Sequence, residues 1–146
     1  MAKVNFRDLL NFKSEEIERP VPCPEGHFIG TCYKIEFGFS KQKKTPYARF
    51  HLRPEEPCAD VDMDQLNGLD LSKQELHRDF YLTPKAKYMI ADMLDTVFGP
   101  DPRTIDERID DMKDAKLCFQ VTQNTSDDGT RIFNNVGNIM DPEDAP

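Results

Sequence analysis

Alternating apolar and polar positions divide the chain into five segments that are typical of β-strands. The clearest covers 47–53, where Ala48, Phe50 and Leu52 alternate without a fault with the residues between them. The segment before it, 28–39, is rich in aromatic and β-branched residues, and a polar turn separates the two, so they are predicted to form a hairpin. The other strand-like segments cover 76–82, 116–122 and 130–136.

Helical spacing follows the third of these strands. Thr83 and Pro84 are typical of a helix N-cap and its first helical position, and Gly99 followed by proline ends the pattern. Apolar residues form one stripe along this helix at Ala86, Ile90, Met93 and Val97. A capping box beginning at Thr104 predicts a second, shorter helix. The acidic, turn-rich segment 54–74 is predicted as a loop with one short helix.

The order of these elements predicts the fold. Three strands, a helix and two more strands is the connectivity of the five-stranded oligonucleotide/oligosaccharide-binding barrel, the OB-fold. The chain is therefore predicted to be mainly β, an OB-fold-like antiparallel barrel with a helix between strands 3 and 4, and a small α+β sandwich is the alternative. We expect an N-terminal arm over 1–26, the domain over 27–140 and a short acidic tail over 141–146.

Charge and composition narrow the function classes. The 146 residues include 19 Lys and Arg against 27 Asp and Glu, a formal net charge of -8, so a uniformly basic nucleic-acid coat is excluded and any nucleic-acid site must be local. No apolar run approaches the roughly 18 residues of a membrane span, and we expect a soluble cytoplasmic protein. The four widely spaced cysteines are predicted to be free thiols in a reducing compartment.

One segment departs from the acidic average. Residues 41–53 contain five Lys and Arg and no carboxylate, and alternation places Tyr47, Arg49, His51 and Arg53 on the face opposite the core. Aromatic and cationic groups on one surface suit single-stranded nucleic acid, because exposed bases stack on rings while cations contact phosphates. The predicted nucleic-acid-binding residues are Lys34, Lys41, Lys43, Lys44, Tyr47, Arg49, His51, Arg53, Tyr81, Arg131 and Phe133. The other interpretation is a solvated turn and a soluble sheet surface.

Other chemical patterns are weaker, and no metal, cofactor or enzymatic activity is predicted. Asp60, Asp62 and Asp64 are spaced like the start of a calcium loop, but the glycine and the final glutamate of such a loop are missing. Cys23, His27 and Cys32 lack a fourth zinc ligand nearby. Two alternative functions remain: an acidic protein-binding adaptor or DNA mimic, and a metal-dependent nuclease using these aspartates or Asp79.

Four segments also resemble a known family, that of small phage-encoded single-stranded DNA-binding proteins with an OB-type fold. The resemblance rests on PEGHF at 24–28, KTPYARF at 44–50, DFYLT at 79–83 and SDDGTR at 126–131. It implies sequence-tolerant binding of single-stranded DNA during replication or recombination, without catalysis, in the cytoplasm of the host cell.

The expected partners follow from the same interpretation. They are single-stranded DNA, and replication or recombination proteins that contact the acidic tail at Asp141, Glu143 and Asp144; no membrane partner is expected. Many members of the family end in an aromatic residue, whereas this chain ends in Ala145 and Pro146. An exposed edge strand of such a barrel would also allow a homodimer.

Overall fold

The computed structural model describes residues 21–146 together with Arg7, Leu10 and Asn11. Most of the predicted N-terminal arm therefore lies outside the described residues. Its last part, from Val21 onward, runs along the β-sheet: the Cys23 carbonyl accepts hydrogen bonds from the side-chain amides of Gln123 and Asn134, both at 2.8 Å. Cys23 itself is fully buried, so this part of the arm belongs to the packed structure.

Five antiparallel strands form one open sheet in the order β3-β2-β1-β4-β5. The strands are β1 Gly26–Phe39, β2 Pro46–Pro57, β3 Leu76–Tyr81, β4 Lys116–Thr125 and β5 Ile132–Met140. The prediction of a mainly β protein with five antiparallel strands is confirmed. The two end strands of the sheet, β3 and β5, curl toward each other until their Cα atoms come within 8 Å.

Two helices complete the described structure: α1, Lys87–Phe98, and α2, Ile105–Arg108. One half of the predicted capping box is present: the Thr104 hydroxyl accepts a hydrogen bond from the Glu107 backbone N–H at 3.3 Å. The short turns are 3₁₀ helices at Met63–Leu66, Leu71–Lys73, Ile109–Met112 and Pro142–Asp144. In the part of the chain described by the structure, no helix is long and apolar enough to cross a membrane.

Four predicted boundaries were wrong by three residues or more. Strand β4, predicted to end at 122, continues to Thr125. Strand β2 continues through Pro54 to Pro57, where a loop was predicted, because beyond Leu52 it is paired with β1 only and a proline needs no hydrogen bond to β3. Strand β5 continues to Met140 because a register shift between Phe119 and Val121 restores its pairing with β4. Helix α1 begins at Lys87, since Thr83 caps a preceding turn.

The core lies between the inner face of the sheet and α1. Phe28, Phe50 and Phe119 are fully buried at its centre. The buried stripe of α1 comprises Ile90, Met93, Leu94 and Val97. Because α1 contacts both β3 and β5, it covers the core at the place where these two end strands approach each other.

Arg108 fastens α2 to the end of α1. Its side chain is almost fully buried, and its guanidinium donates to Asp95 at 2.8 Å and to the Gly99 carbonyl at 3.0 Å. The second bond satisfies a carbonyl at the C-terminal end of α1 that has no partner within the helix.

Replacing Arg108 by alanine is expected to lower the free energy of unfolding by about 2 kcal/mol, because hydrogen bonds involving a charged group are lost in a buried place. Urea denaturation measures the change. Arg103→Ala is the control: Arg103 makes exposed ion pairs with Asp101 and Asp111, and its loss should cost less than about 1 kcal/mol. Equal losses in the two variants would show that Arg108 does not fasten the helices.

Candidate nucleic-acid interface

The candidate interface is the face of β1, β2 and β3 that points away from the core, here called the outer face. Ala48, Phe50 and Leu52 are fully buried, which confirms the predicted alternation along β2. Their neighbours in the strand therefore point to the outer face. These neighbours are Tyr47, Arg49, His51 and Arg53.

The pairing register of β2 with β3 and with β1 determines which residues lie beside the outward-facing residues of β2. On the β3 side, Tyr47 lies opposite Tyr81, Arg49 opposite Asp79 and His51 opposite His77. On the β1 side, the same three residues lie opposite Gly38, Glu36 and Lys34. Side chains directly opposite each other on one face are close enough to interact. The outer face is thus a grid of three strands, with tyrosines at one end and histidines toward the other.

The tyrosine end of the outer face offers two aromatic rings. Tyr81 is 50% exposed, and Tyr47 is partly buried because its ring extends over β1 at Gly38. A Cβ atom at Gly38 would lie only 2.7 Å from the Tyr47 hydroxyl oxygen, so glycine leaves the room that the ring occupies. The Arg49 guanidinium carbon lies 5.2 Å from the centroid of the Tyr47 ring, within the range of a cation–π contact.

Two carboxylates lie beside the central cations of the outer face, and a third, Glu55, lies farther along β2 and pairs with Lys116. Asp79 accepts two hydrogen bonds from Arg49, at 2.8 and 3.0 Å, and its Oδ1 lies 3.2 Å from His77. Burial raises the pKa of the Asp79 carboxyl, but the hydrogen bond from Arg49 and the charges nearby outweigh it, and the net pKa is lowered. Glu36 lies 3.3 Å from His51 and 3.8 Å from Lys34. Much of the positive charge on this face is therefore already paired.

The histidine end of the outer face is also aromatic. The Arg53 guanidinium carbon lies 4.4 Å from the centroid of the Tyr33 ring, and that ring lies 5.9 Å from His51. His51 and His77 follow at 6.4 Å between ring centroids. Tyr33 reaches this face because a bulge in β1 places both Tyr33 and Lys34 beside His51.

The turn between β1 and β2, here called the lysine turn, carries Lys41, Lys43 and Lys44. All three are exposed, and none of them forms an ion pair with a residue that the structure describes. Ser40 holds the turn closed, since its carbonyl accepts from Lys44 at 3.0 Å and its hydroxyl accepts from Thr45 at 3.0 Å. The lysine turn and Tyr81 line a common groove.

Arg131 and Phe133 lie at the opposite end of β3 from Tyr81. Arg131 was predicted on the last strand, but it lies in the turn that precedes β5. Phe133, on β5, is 49% exposed, and both residues line a cleft with Glu75 and His77. The structure therefore brings all the sequence-predicted residues to the outer face or to one of its two ends.

Sequence reasoning missed the residues of this surface that lie beside the β2 row on the neighbouring strands: Glu36, Asp79, Tyr33 and His77. Each of these residues belongs to β1 or β3, and the pairing register of that strand with β2 places it beside the row of outward-facing β2 residues. Alternation along β3 would have found His77 and Asp79, because both share the parity of Tyr81. Tyr33 could not have been found in this way, because the bulge changes the parity of β1.

The other candidate sites are not assembled. Asp60 binds His27, with 2.6 Å between Oδ2 and Nδ1, and Asp62 accepts a hydrogen bond from the Asp64 backbone N–H. Within the described ranges, no three His, Cys, Asp or Glu side chains converge as metal ligands would. All four cysteines are free thiols, and burial raises the pKa of Cys23 and of Cys118 to about 12, which makes them poor nucleophiles.

Compared with protein-family models and with curated protein sequences, the chain matches none of them.

Proposed function

We propose that this protein is an OB-type barrel that binds single-stranded DNA on its outer face. Three observations support the barrel: the strand order β3-β2-β1-β4-β5, the approach of β3 to β5, and the position of α1 where these two strands meet. In OB-folds, the strand 2 and 3 surface and the loops joining strands 1–2 and 4–5 bind ligands. Here these are the outer face, the lysine turn and the turn that carries Arg131.

The observation that carries the proposal is the Tyr47–Tyr81 pair beside the lysine turn. The two rings come from directly opposed residues on neighbouring strands, and Tyr81 shares a groove with Lys41 and Lys43. A single strand presents the faces of its bases for stacking, whereas paired bases in a duplex are covered by their neighbours. Adjacent rings and cations therefore favour single strands over duplex, with little dependence on sequence.

The cations divide into two groups. Arg49 is held by Asp79 and Lys34 lies beside Glu36, so a phosphate would have to compete with a carboxylate at either residue. The lysine turn has no such competitor among the described residues and contributes the larger share of phosphate contacts. The two carboxylates also repel phosphates from the middle of the face, which leaves this part to the bases.

Fluorescence anisotropy of a labelled oligothymidine tests the proposal, with titrations at several salt concentrations and an unlabelled duplex of equal length as competitor. We expect the oligothymidine to bind in a salt-dependent manner and the unlabelled duplex not to displace it. Absence of binding at low salt, or equal competition by the duplex, would overturn it. The cellular role we propose is protection of transient single strands in replication or recombination.

The Lys43→Ala/Lys44→Ala variant is expected to flatten the salt dependence of binding. Each phosphate of a single strand that a lysine no longer neutralises reduces the slope of log K against log salt concentration by about 0.7, so the slope should fall by about 1.4 in the double variant. The matched control, Arg103→Ala/Lys113→Ala, removes the same formal charge near α2 and should leave the slope unchanged. An equal decrease of slope in both variants would reject the lysine turn as the phosphate site.

A further inference from the structure

A cleft that is separate from the outer face opens on the other side of β3. It lies between α1, β3 and β5 and has a volume of about 490 Å³, a size typical of small-molecule sites. Phe80 of β3 and Met89 and Met93 of α1 give it apolar walls. Its polar groups include Arg78, Asp92 and Asp144.

Arg78 is the unusual residue in this cleft. It lies opposite Phe50 on the inner side of β3, and its guanidinium carbon is 4.8 Å from the centroid of the Phe80 ring. Its Nε is buried and has no hydrogen-bond acceptor in the described part of the chain. The terminal nitrogens are accessible, and they too make no hydrogen bond or ion pair with a described residue. An arginine fixed against an aromatic ring, with no hydrogen-bond acceptor among the described residues, is available to a ligand.

The surroundings of Arg78 restrict the chemistry of that ligand. Asp92 and Asp144 line the same cleft, so together with Arg78 they give it a net negative charge and disfavour a phosphate. A group that fits must accept hydrogen bonds from the guanidinium and donate them to a carboxylate. The apolar walls favour a flat group with uncharged faces. A nucleobase combines these three properties.

We propose that this cleft takes one base of the bound strand and that guanine fits it best; this inference rests on the proposed function. Guanine accepts through N7 and O6 on one edge, the pairing that arginine makes most often with a base. Its N1–H and N2 amino group lie on another edge of the same ring plane and can donate to a carboxylate. Thymine has no amino group, so it cannot offer as many donors.

A single strand that lies on the outer face can reach the cleft across β3. His77, Asp79 and Tyr81 point to the outer face, whereas Arg78 and Phe80 of the same strand line the cleft. The other edge of β3 is approached by β5, with Cα atoms within 8 Å, but no hydrogen-bonded pairing closes it in the described structure. If one base is turned over this edge into the cleft, the adjacent bases of the same strand can remain stacked on Tyr47 and Tyr81.

The test compares oligothymidine with the same strand in which a single central thymidine is replaced by dG, dA or dC. The dG strand is expected to bind wild-type protein about tenfold more tightly than oligothymidine, the size of one good bidentate pair. Arg78→Met removes the charge and retains an apolar side chain, so it should abolish this gain and leave oligothymidine affinity unchanged. Arg103→Met, the matched control outside both the cleft and the outer face, should keep the gain.

A second variant and a second measurement complete the test. Asp92→Asn keeps the shape of the side chain and should also reduce the preference for dG. Titration of free guanosine, followed through the methyl signals of Met89 and Met93, should shift these signals in the wild type and not in Arg78→Met.

Each result distinguishes this inference from the proposed function. Oligothymidine binding without a preference for dG, or a preference that survives in Arg78→Met, would overturn the guanine cleft while single-strand binding stands. A stronger preference for dA or dC would likewise overturn guanine as the ligand. Loss of binding to every strand would reject the proposed function, and the guanosine titration would then decide the cleft alone.

Discussion

Replacing both Tyr47 and Tyr81 by alanine is expected to weaken oligothymidine binding by at least about 30-fold. Stacking of one base on an aromatic side chain contributes about 1–3 kcal/mol, so removing two rings together removes about 2–6 kcal/mol, and about 1.4 kcal/mol corresponds to tenfold in affinity. The protein should stay folded, because both side chains lie on the outer face and Tyr81 is half exposed. Anisotropy titrations at one fixed salt concentration measure the change.

The control for this variant is Phe98→Ala. Phe98 is an aromatic residue of similar exposure, 44%, at the end of α1 and outside the outer face. It should bind oligothymidine like the wild type. A double tyrosine variant that loses less than about threefold would show that neither ring stacks on a base, because even one weak stack exceeds that loss.

A separate variant displaces one ring without removing it. In Gly38→Ala, the new Cβ would lie 2.7 Å from the Tyr47 hydroxyl oxygen, and the nearest atoms all belong to that side chain. The ring must swing away from β1, which is feasible for the far end of a side chain. Oligothymidine binding should therefore fall in the same direction as in the double variant, but by less.

The alternation along β2 explains why the sequence located part of this surface. With Ala48, Phe50 and Leu52 in the core, the positions of Tyr47 and Arg49 on the outer face follow from the two-residue period of a strand. The identity of the fold is less accessible, since the element order also fits other arrangements of five strands. The structure adds the sheet order and the approach of β3 to β5.

The pairing of charges on the outer face could not be predicted from local pattern. Asp79 lies 30 residues from Arg49 in the sequence, and only the β2–β3 register brings the two together. The same limit explains why segment 41–53 seemed to be a purely basic surface. Cross-strand neighbours supply Asp79 and Glu36, and they divide the face into a lysine-rich end and a largely neutral middle.

Local rules failed at specific residues for specific reasons. Pro54 and Pro57 favoured a loop, yet both lie where β2 is paired on one side only, so the missing N–H groups break no ladder with β3. The last strand was predicted to end at 136, but its pairing with β4 resumes beyond the register shift and carries it to Met140. In both cases the partner strand determines the outcome.

Gly30→Ala is expected to lower the free energy of unfolding by about 3 kcal/mol. Adding a methyl group to a tightly packed interior costs about 1–3 kcal/mol. The cost at Gly30 should lie at the upper end of this range because the new methyl group meets the backbone of β2, which cannot move aside as a side chain can. The added Cβ would lie 2.0 Å from the Arg53 carbonyl oxygen and 3.0 Å from the Phe119 ring. Gly30 pairs with both Pro54 and Leu117, so β1 cannot move away from β2 without disturbing its pairing with β4.

Gly38→Ala in the same strand is the matched control for Gly30→Ala in urea denaturation. Both variants add one methyl group to a glycine of β1, but at Gly38 the methyl meets only the mobile end of the Tyr47 side chain. Its unfolding free energy should therefore change by less than about 1 kcal/mol. The two glycines would thus separate fold from function: Gly30→Ala lowers stability, and Gly38→Ala lowers DNA binding. Equal destabilisation of the two variants would contradict the assignment of the Tyr47 ring as a movable part of the outer face.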